Sequence, residues 1–179
     1  MPEITGQYDN CAWGLGYTGD RLLLVSPDPP YEEGAMVDLL LAIAHHLLAF
    51  TLVGALAVEF AVIRPGLERA QVSVAAAADA IYGMSALLII IVGVGRVVLG
   101  LKGWEFYIAT PAFWAKMAAF GFAGVLSIRP TIVILKWRKA GHAEAIPLKD
   151  IEKVRTALKA ELFFLALVPI CAAAMARGY

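Results

Sequence analysis

Seven ionisable side chains stand inside otherwise apolar stretches of this sequence: His45, His46, Glu59, Asp79, Arg96, Lys116 and Glu161. Each is costly in a hydrocarbon environment, so each marks a candidate functional site. Their positions sort them into two layers. Glu59, Asp79 and Glu161 are carboxylates within about two helical turns of one membrane face, taking a rise of about 1.5 Å per residue. His45, His46, Arg96 and Lys116 lie toward the other face and bring imidazole, guanidinium and ammonium groups from three different stretches.

The second layer cannot satisfy itself, because all its members can be cations and none is an acid. It calls for an anion. An anionic cofactor with a metal at its centre answers both halves of the donor set: imidazole ligates iron, while Arg and Lys neutralise propionates. That is the chemistry of b-type haem, and the cores of helix bundles are a usual place for such cofactors. Lys116 and Arg96 are the candidate catalytic residues, the first as second ligand or propionate partner and the second as anion clamp. Adjacent helical residues point about 100° apart, so His45 and His46 cannot both bind one iron or hold a ring between them. One is the axial ligand at most. The other then hydrogen-bonds a propionate, a backbone carbonyl or a neighbouring helix.

Helical phase places His45 on the stripe Ala49, Leu52, Leu56 and Glu59, where a buried carboxylate faces the bundle interior; His46 shares a stripe with Phe50, Val53, Ala57 and Phe60, which reads as lipid-facing. The third histidine, His142, lies in a polar connection, so a bis-histidine haem within one chain is excluded. The sixth position falls to Lys116, Met175, water or nothing. Each candidate also has a plain structural role: a hydrogen-bonded histidine near the interface, a snorkelling lysine, a packing methionine. The three carboxylates read mainly as structural, with Arg64, Arg129 and Arg155 in reach, and secondarily as a proton input.

Positioning these groups requires membrane-spanning helices. The 179 residues are 60% hydrophobic and 17% charged, with a mean hydropathy of +0.73, which excludes a soluble globular domain. Four apolar stretches reach the roughly 20 residues that a bilayer core demands: about Val37 to Ile63, Val74 to Leu99, Ala112 to Leu135 and Ala157 to Ala176. Arg64-Pro65-Gly66, Lys102-Gly103, and Gly141 with Pro147 mark the connections. Thr110-Pro111 opens the third stretch as N-cap and first-turn proline. The fold expected is all-α, a four-helix transmembrane bundle, with Pro130 and Pro169 kinking their helices. Gly54, Gly83, Gly93, Gly95, Gly121, Gly124 and the runs Ala75–Ala78 and Ala172–Ala174 supply small residues for close helix packing.

Lys and Arg crowd one side: Arg64 and Arg69 in the first connection, then Arg129, Lys136, Arg138, Lys139, Lys149, Lys153, Arg155 and Lys159 around the third, against Arg21, Lys102 and Arg177 on the other. By the positive-inside rule both termini face away from the cytoplasm. Trp104, Tyr107 and Trp114 are expected in an outer aromatic belt, with Trp137 at the inner side. Residues 1–36 form an acidic, Gly- and Pro-rich tail without a signal-peptide pattern, flexible or upstream of a true start at Met36; residues 37–178 form the transmembrane domain. A formal net charge of zero, from 15 Lys+Arg and 15 Asp+Glu, argues against a nucleic-acid partner. Cys11 and Cys171 match neither a CxxC metal site nor a disulfide framework. No GxSxG, Walker or HExxH motif occurs.

The run His45-His46-Leu47-Leu48-Ala49-Phe50, with Phe113-Trp114-Ala115-Lys116-Met117 and Met175-Ala176-Arg177-Gly178, resembles an uncharacterised family of bacterial four-helix integral membrane proteins. That family is itself similar to the oxygen-independent membrane protoporphyrinogen oxidase of bacteria and to the membrane domain of copper-resistance proteins. The resemblance covers roughly Met36 to Gly178. It implies a bacterial inner-membrane, multi-pass protein in which a first-helix histidine, His46 by register, and Lys116 after Trp114 form the functional pair beside haem b. It further implies porphyrin as substrate and quinone as electron acceptor. The doubled histidine, and Val53 near the place of a tryptophan two turns on, differ from the oxidase pattern. The leading reading is therefore a haem-binding membrane redox protein. Its competitors are a small proton- or ion-coupled transporter, which four helices would furnish only as a homo-oligomer, and a cofactor-free structural subunit of a membrane complex.

Overall fold

A computed structural model describes residues 14–18, 21–25, 30–100, 103–140 and 146–177, with side chains from Gly34 onward. Two short strands, β1 (Gly14–Thr18) and β2 (Arg21–Val25), pair antiparallel within the stretch read from sequence as a tail. Five helices follow: α1 (Pro30–Val62), α2 (Arg69–Leu99), α3 (Gly103–Ala109), α4 (Pro111–Lys139) and α5 (Leu148–Ala176). Four of them, α1, α2, α4 and α5, are long and apolar enough to cross a membrane. They correspond to the four expected spans, each extended by a polar turn or two. The short α3 in the second connection has no apolar period to announce it. Cys11, Lys102 and His142 lie outside the described residues.

The order of packing is a closed square. Helices α1 and α2 run against each other over most of their length, as do α4 and α5; α2 against α4 and α5 against α1 close the ring, and neither diagonal pair comes into backbone contact. Turn chemistry makes the corners. Gly66 takes φ +83° in the Arg64-Pro65-Gly66 corner, a conformation that an L side chain would resist. The Glu68 backbone N–H donates to Gln71 Oε1 at 3.1 Å and satisfies one of the free donors that open α2. Thr110 precedes α4 as expected and Pro111 begins it, but the Thr110 hydroxyl donates back to the Phe106 carbonyl at 2.7 Å. It therefore ties α3 to α4 and leaves the α4 donors uncapped by its side chain.

Burial is uneven along the bundle axis. The core includes Leu52 and Leu56 of α1 with Ile63 just beyond it, Val72, Ala75 and Ala76 of α2, Ala123 and Ile134 of α4, and Ile151, Val154 and Leu158 of α5, running from mid-bundle to the α1–α2 corner. In the opposite half, no side chain of residues 34–51, 90–99, 111–118 or 166–176 is fully buried. The small residues explain part of this gradient. Ala55, Ala75, Ala76, Ala78, Ala119 and Ala123 are buried and let backbones approach closely. Gly54, Gly83, Gly121 and Gly124, expected to pack, face open space: a Cβ at any of them meets nothing within 4 Å. Two residues expected in aromatic belts sit inside instead, Tyr107 and Trp137, whereas Trp104 and Trp114 are exposed.

One cation fastens the packed half. Helix α1 has no basic residue in its last turn, and its free carbonyls are met from α5: Arg155 Nη1 donates to the Phe60 carbonyl at 3.1 Å and to that of Ile63. The guanidinium lies 4.3 Å from the Phe60 ring centroid. A cation at a helix C-terminus also opposes the negative end of the helix dipole. Arg155→Ala is expected to lower unfolding stability by about 2 kcal/mol, the scale of hydrogen bonds made by a charged group. An SDS-unfolding titration followed by circular dichroism checks this; a loss below about 0.5 kcal/mol would mean that the contact only decorates the corner.

Candidate functional site

Two polar layers occupy the bundle, one in its packed half and one in its open half. In the packed half, α1 contributes Glu59, α2 contributes Asp79 and Tyr82, and α5 contributes Glu161. Their exposures are 1%, 7%, 4% and 1%. Glu59 lies within electrostatic range of both Asp79 and Glu161, and the Tyr82 hydroxyl lies beside Glu161. From α4, Thr131 Oγ1 donates to Asp79 Oδ1 at 2.6 Å. Its neighbour Pro130 is fully buried and supplies no N–H. Glu59 Oε1 and Glu161 Oε1 are buried with no hydrogen-bond partner.

The ion pairs expected for these carboxylates do not form. Arg155 spends its donors on α1 carbonyls, Arg64 and Arg129 are exposed, and the salt bridge among the described residues joins Lys153 to Asp150 at the surface, 3.7 Å apart. The physical reason is competition: the last carbonyls of α1 lie nearer the membrane face than the carboxylates and take the guanidinium first. Nor does any group of three His, Cys, Asp or Glu among the described residues have the placement to hold a metal ion.

In the open half, the structure brings together three of the predicted residues. His45 of α1 is half-buried and lies within electrostatic range of Lys116 of α4 and Arg96 of α2. The imidazole packs beside Gly93 of α2, where a Cβ would stand in ordinary van der Waals contact, 3.8 Å from His45 Cε1. His45 Nδ1 and Arg96 Nε are both buried without a partner. His46 points the other way. It is exposed, and its Nδ1 lies 2.6 Å from the Ala42 carbonyl of its own helix. The two rings stand at 81° with centroids 6.2 Å apart, as adjacent helical positions require.

Met175 is half-buried near the open end of α5. One turn before it, Cys171 lies within electrostatic range of Lys116 and is a free thiol. Sequence reasoning set Cys171 aside because it belongs to no cysteine motif. The usable signal was its spacing of four from Met175, which puts both sulfurs on one face of α5 at the depth of Lys116.

Among known families, residues 37–179 match one described as "Predicted membrane protein (DUF2214)". No curated protein and no solved structure matches the chain.

The packed layer yields a direct test of its α2–α4 tie. Thr131→Val keeps the shape of the side chain but removes the donor to Asp79, leaving a buried carboxyl oxygen unmet. A loss of about 1–3 kcal/mol in SDS-unfolding stability is expected. Thr131→Ser, which keeps the hydroxyl, should recover most of it, whereas equal loss in both variants would assign the effect to packing.

Proposed function

Since the chain belongs to the DUF2214 family of membrane proteins, we propose that it is a multi-pass membrane redox protein whose open half holds b-type haem. The observation that carries this reading is a pair of orphaned, buried polar atoms, His45 Nδ1 and Arg96 Nε. They share one layer with Lys116, with no carboxylate among the three. Buried polar groups are satisfied in folded proteins, so a layer left short of acceptors asks for one from outside the chain. When bound, haem supplies an iron that cycles between two oxidation states.

The chain's own residues would divide the work. His45 presents an imidazole from the interior face of α1, beside Gly93, at the end of the bundle where residues 34–51, 90–99, 111–118 and 166–176 are all at least partly exposed. Arg96 and Lys116 come from α2 and α4 and provide the two cations that propionates need. Cys171 and Met175 bring sulfur, a soft donor, from α5. His46 contributes least to this reading, because its Nδ1 is occupied by the Ala42 carbonyl and its ring is exposed. With the basic residues clustered at the packed end, the reading places that end at the cytoplasm and the haem toward the outer face of a bacterial plasma membrane.

Absorption spectra of the detergent-purified full chain, oxidised and dithionite-reduced, test the proposal. A Soret band with a reduced α-band is expected, lost in His45→Ala and retained in His46→Ala. A chain that stays colourless after reconstitution with hemin overturns the haem reading; loss of the bands in His46→Ala alone overturns the assignment of the ligand.

A further inference from the structure

Independently of that reading, we propose that Glu59, Asp79 and Glu161 form an internal proton-binding site, in which the three carboxyl groups hold exchangeable protons at neutral pH. Acidic residues gathered in one place do not make a site; these are distinguished by what surrounds them. Glu59 and Glu161 are each only 1% exposed, and each turns one carboxyl oxygen into the bundle with no donor to meet it. An ionised carboxylate in that position would be neither hydrated nor paired, and three ionised together would add mutual repulsion. The same three groups become tolerable once protons are shared among them, since a protonated carboxyl is neutral and gains an O–H donor.

Every helix packed against the cluster is consistent with this occupant. On α2, the neutral hydroxyl of Tyr82 lies beside Glu161; on α4, the Thr131 hydroxyl donates to Asp79. The basic side chains around the layer are turned away: Arg155 of α5 to the α1 carbonyls, and Lys159 of α5, Arg129 of α4 and Arg64 beyond α1 to the exterior. Among the described residues, no three His, Cys, Asp or Glu side chains are placed to hold a metal ion. What remains is a layer built of acids and neutral hydroxyls, contributed by all four spans, about one to four turns from the helix ends on the basic side. That depth lets protons enter from the nearer aqueous face, while the packed core of Leu52, Leu56 and Leu158 shields the site from lipid.

Infrared spectroscopy of the full chain in lipid vesicles tests the site, by following the C=O band of protonated carboxyl groups at pH 7 and its shift on exchange into deuterium oxide. The expected result is a band at neutral pH that loses a distinct component in Glu59→Gln and in Glu161→Gln, and is unchanged in the exposed control Glu105→Gln. Should either glutamine variant fail to fold, Asp79→Asn and the pH titration of the wild-type band take its place. Absence of any protonated-carboxyl band at pH 7 overturns the proposal. So does a band that appears only when sodium and potassium are replaced by choline, which would assign the site to a monovalent cation.

Discussion

Hydrocarbon offers no water to a polar side chain, and that constraint decides where this protein packs tightly and where it stays open. Each charge within the bundle must find compensation from another part of the chain, from a bound group or from a proton. The packed half seals three carboxylates behind aliphatic side chains and gives them only hydroxyl partners. The open half holds three potential cations and leaves them half-buried. Neither arrangement follows from helix packing alone, because a bundle of four apolar helices closes equally well around leucine at both depths.

The square order of helices is what lets each layer draw on several elements at once. With α1 beside α2, α2 beside α4, α4 beside α5 and α5 beside α1, each span presents an inner stripe to the same axis. Glu59 and His45 lie on one such stripe of α1, and Asp79 and Arg96 lie at the matching depths of α2. Helix α4 carries Thr131 and Lys116, and α5 carries Glu161 and Cys171. The Arg155 contact with the α1 carbonyls fixes the height of α5 against α1, and with it the height of Glu161 beside Glu59. A one-turn slip, about 5.4 Å, would remove that match.

Much of this was legible in the residues. Four spans followed from length and hydropathy, and the two polar layers followed from counting turns, because a rise per residue converts position into depth without any knowledge of packing. Helical phase put His45 on the inner stripe and His46 on the lipid side, as their burial has it, whereas the family resemblance pointed by register to His46. What sequence could not give was partner choice. Arg155 is near enough to the carboxylates to be read as their counter-ion, and only the competing demand of the α1 carbonyls shows otherwise. The glycines were misleading for a related reason: a small residue permits close approach but does not say which face is approached, so Gly93 packs while Gly54 does not. Cys171 belongs to no motif, and its relevance rests on a neighbour from another helix.

One alternative is that the two layers neutralise each other across the membrane, acid against base, leaving nothing for a ligand or a proton to do. Distance argues against it. Glu59 and His45 are separated by fourteen helical positions, about 21 Å of rise. A pair of unit charges that far apart interacts by about 0.8 kcal/mol at an effective dielectric constant near 20, against about 4 kcal/mol for a pair in contact at 4 Å. Desolvation of a single buried charge costs several kcal/mol. Interaction between the layers therefore recovers only a small part of what burying them costs, and each layer must be compensated where it stands. The cationic layer lies in the less buried half, where a bound anion would compensate it; the acidic layer lies in the packed half, where protons shared among the carboxyl groups would do so.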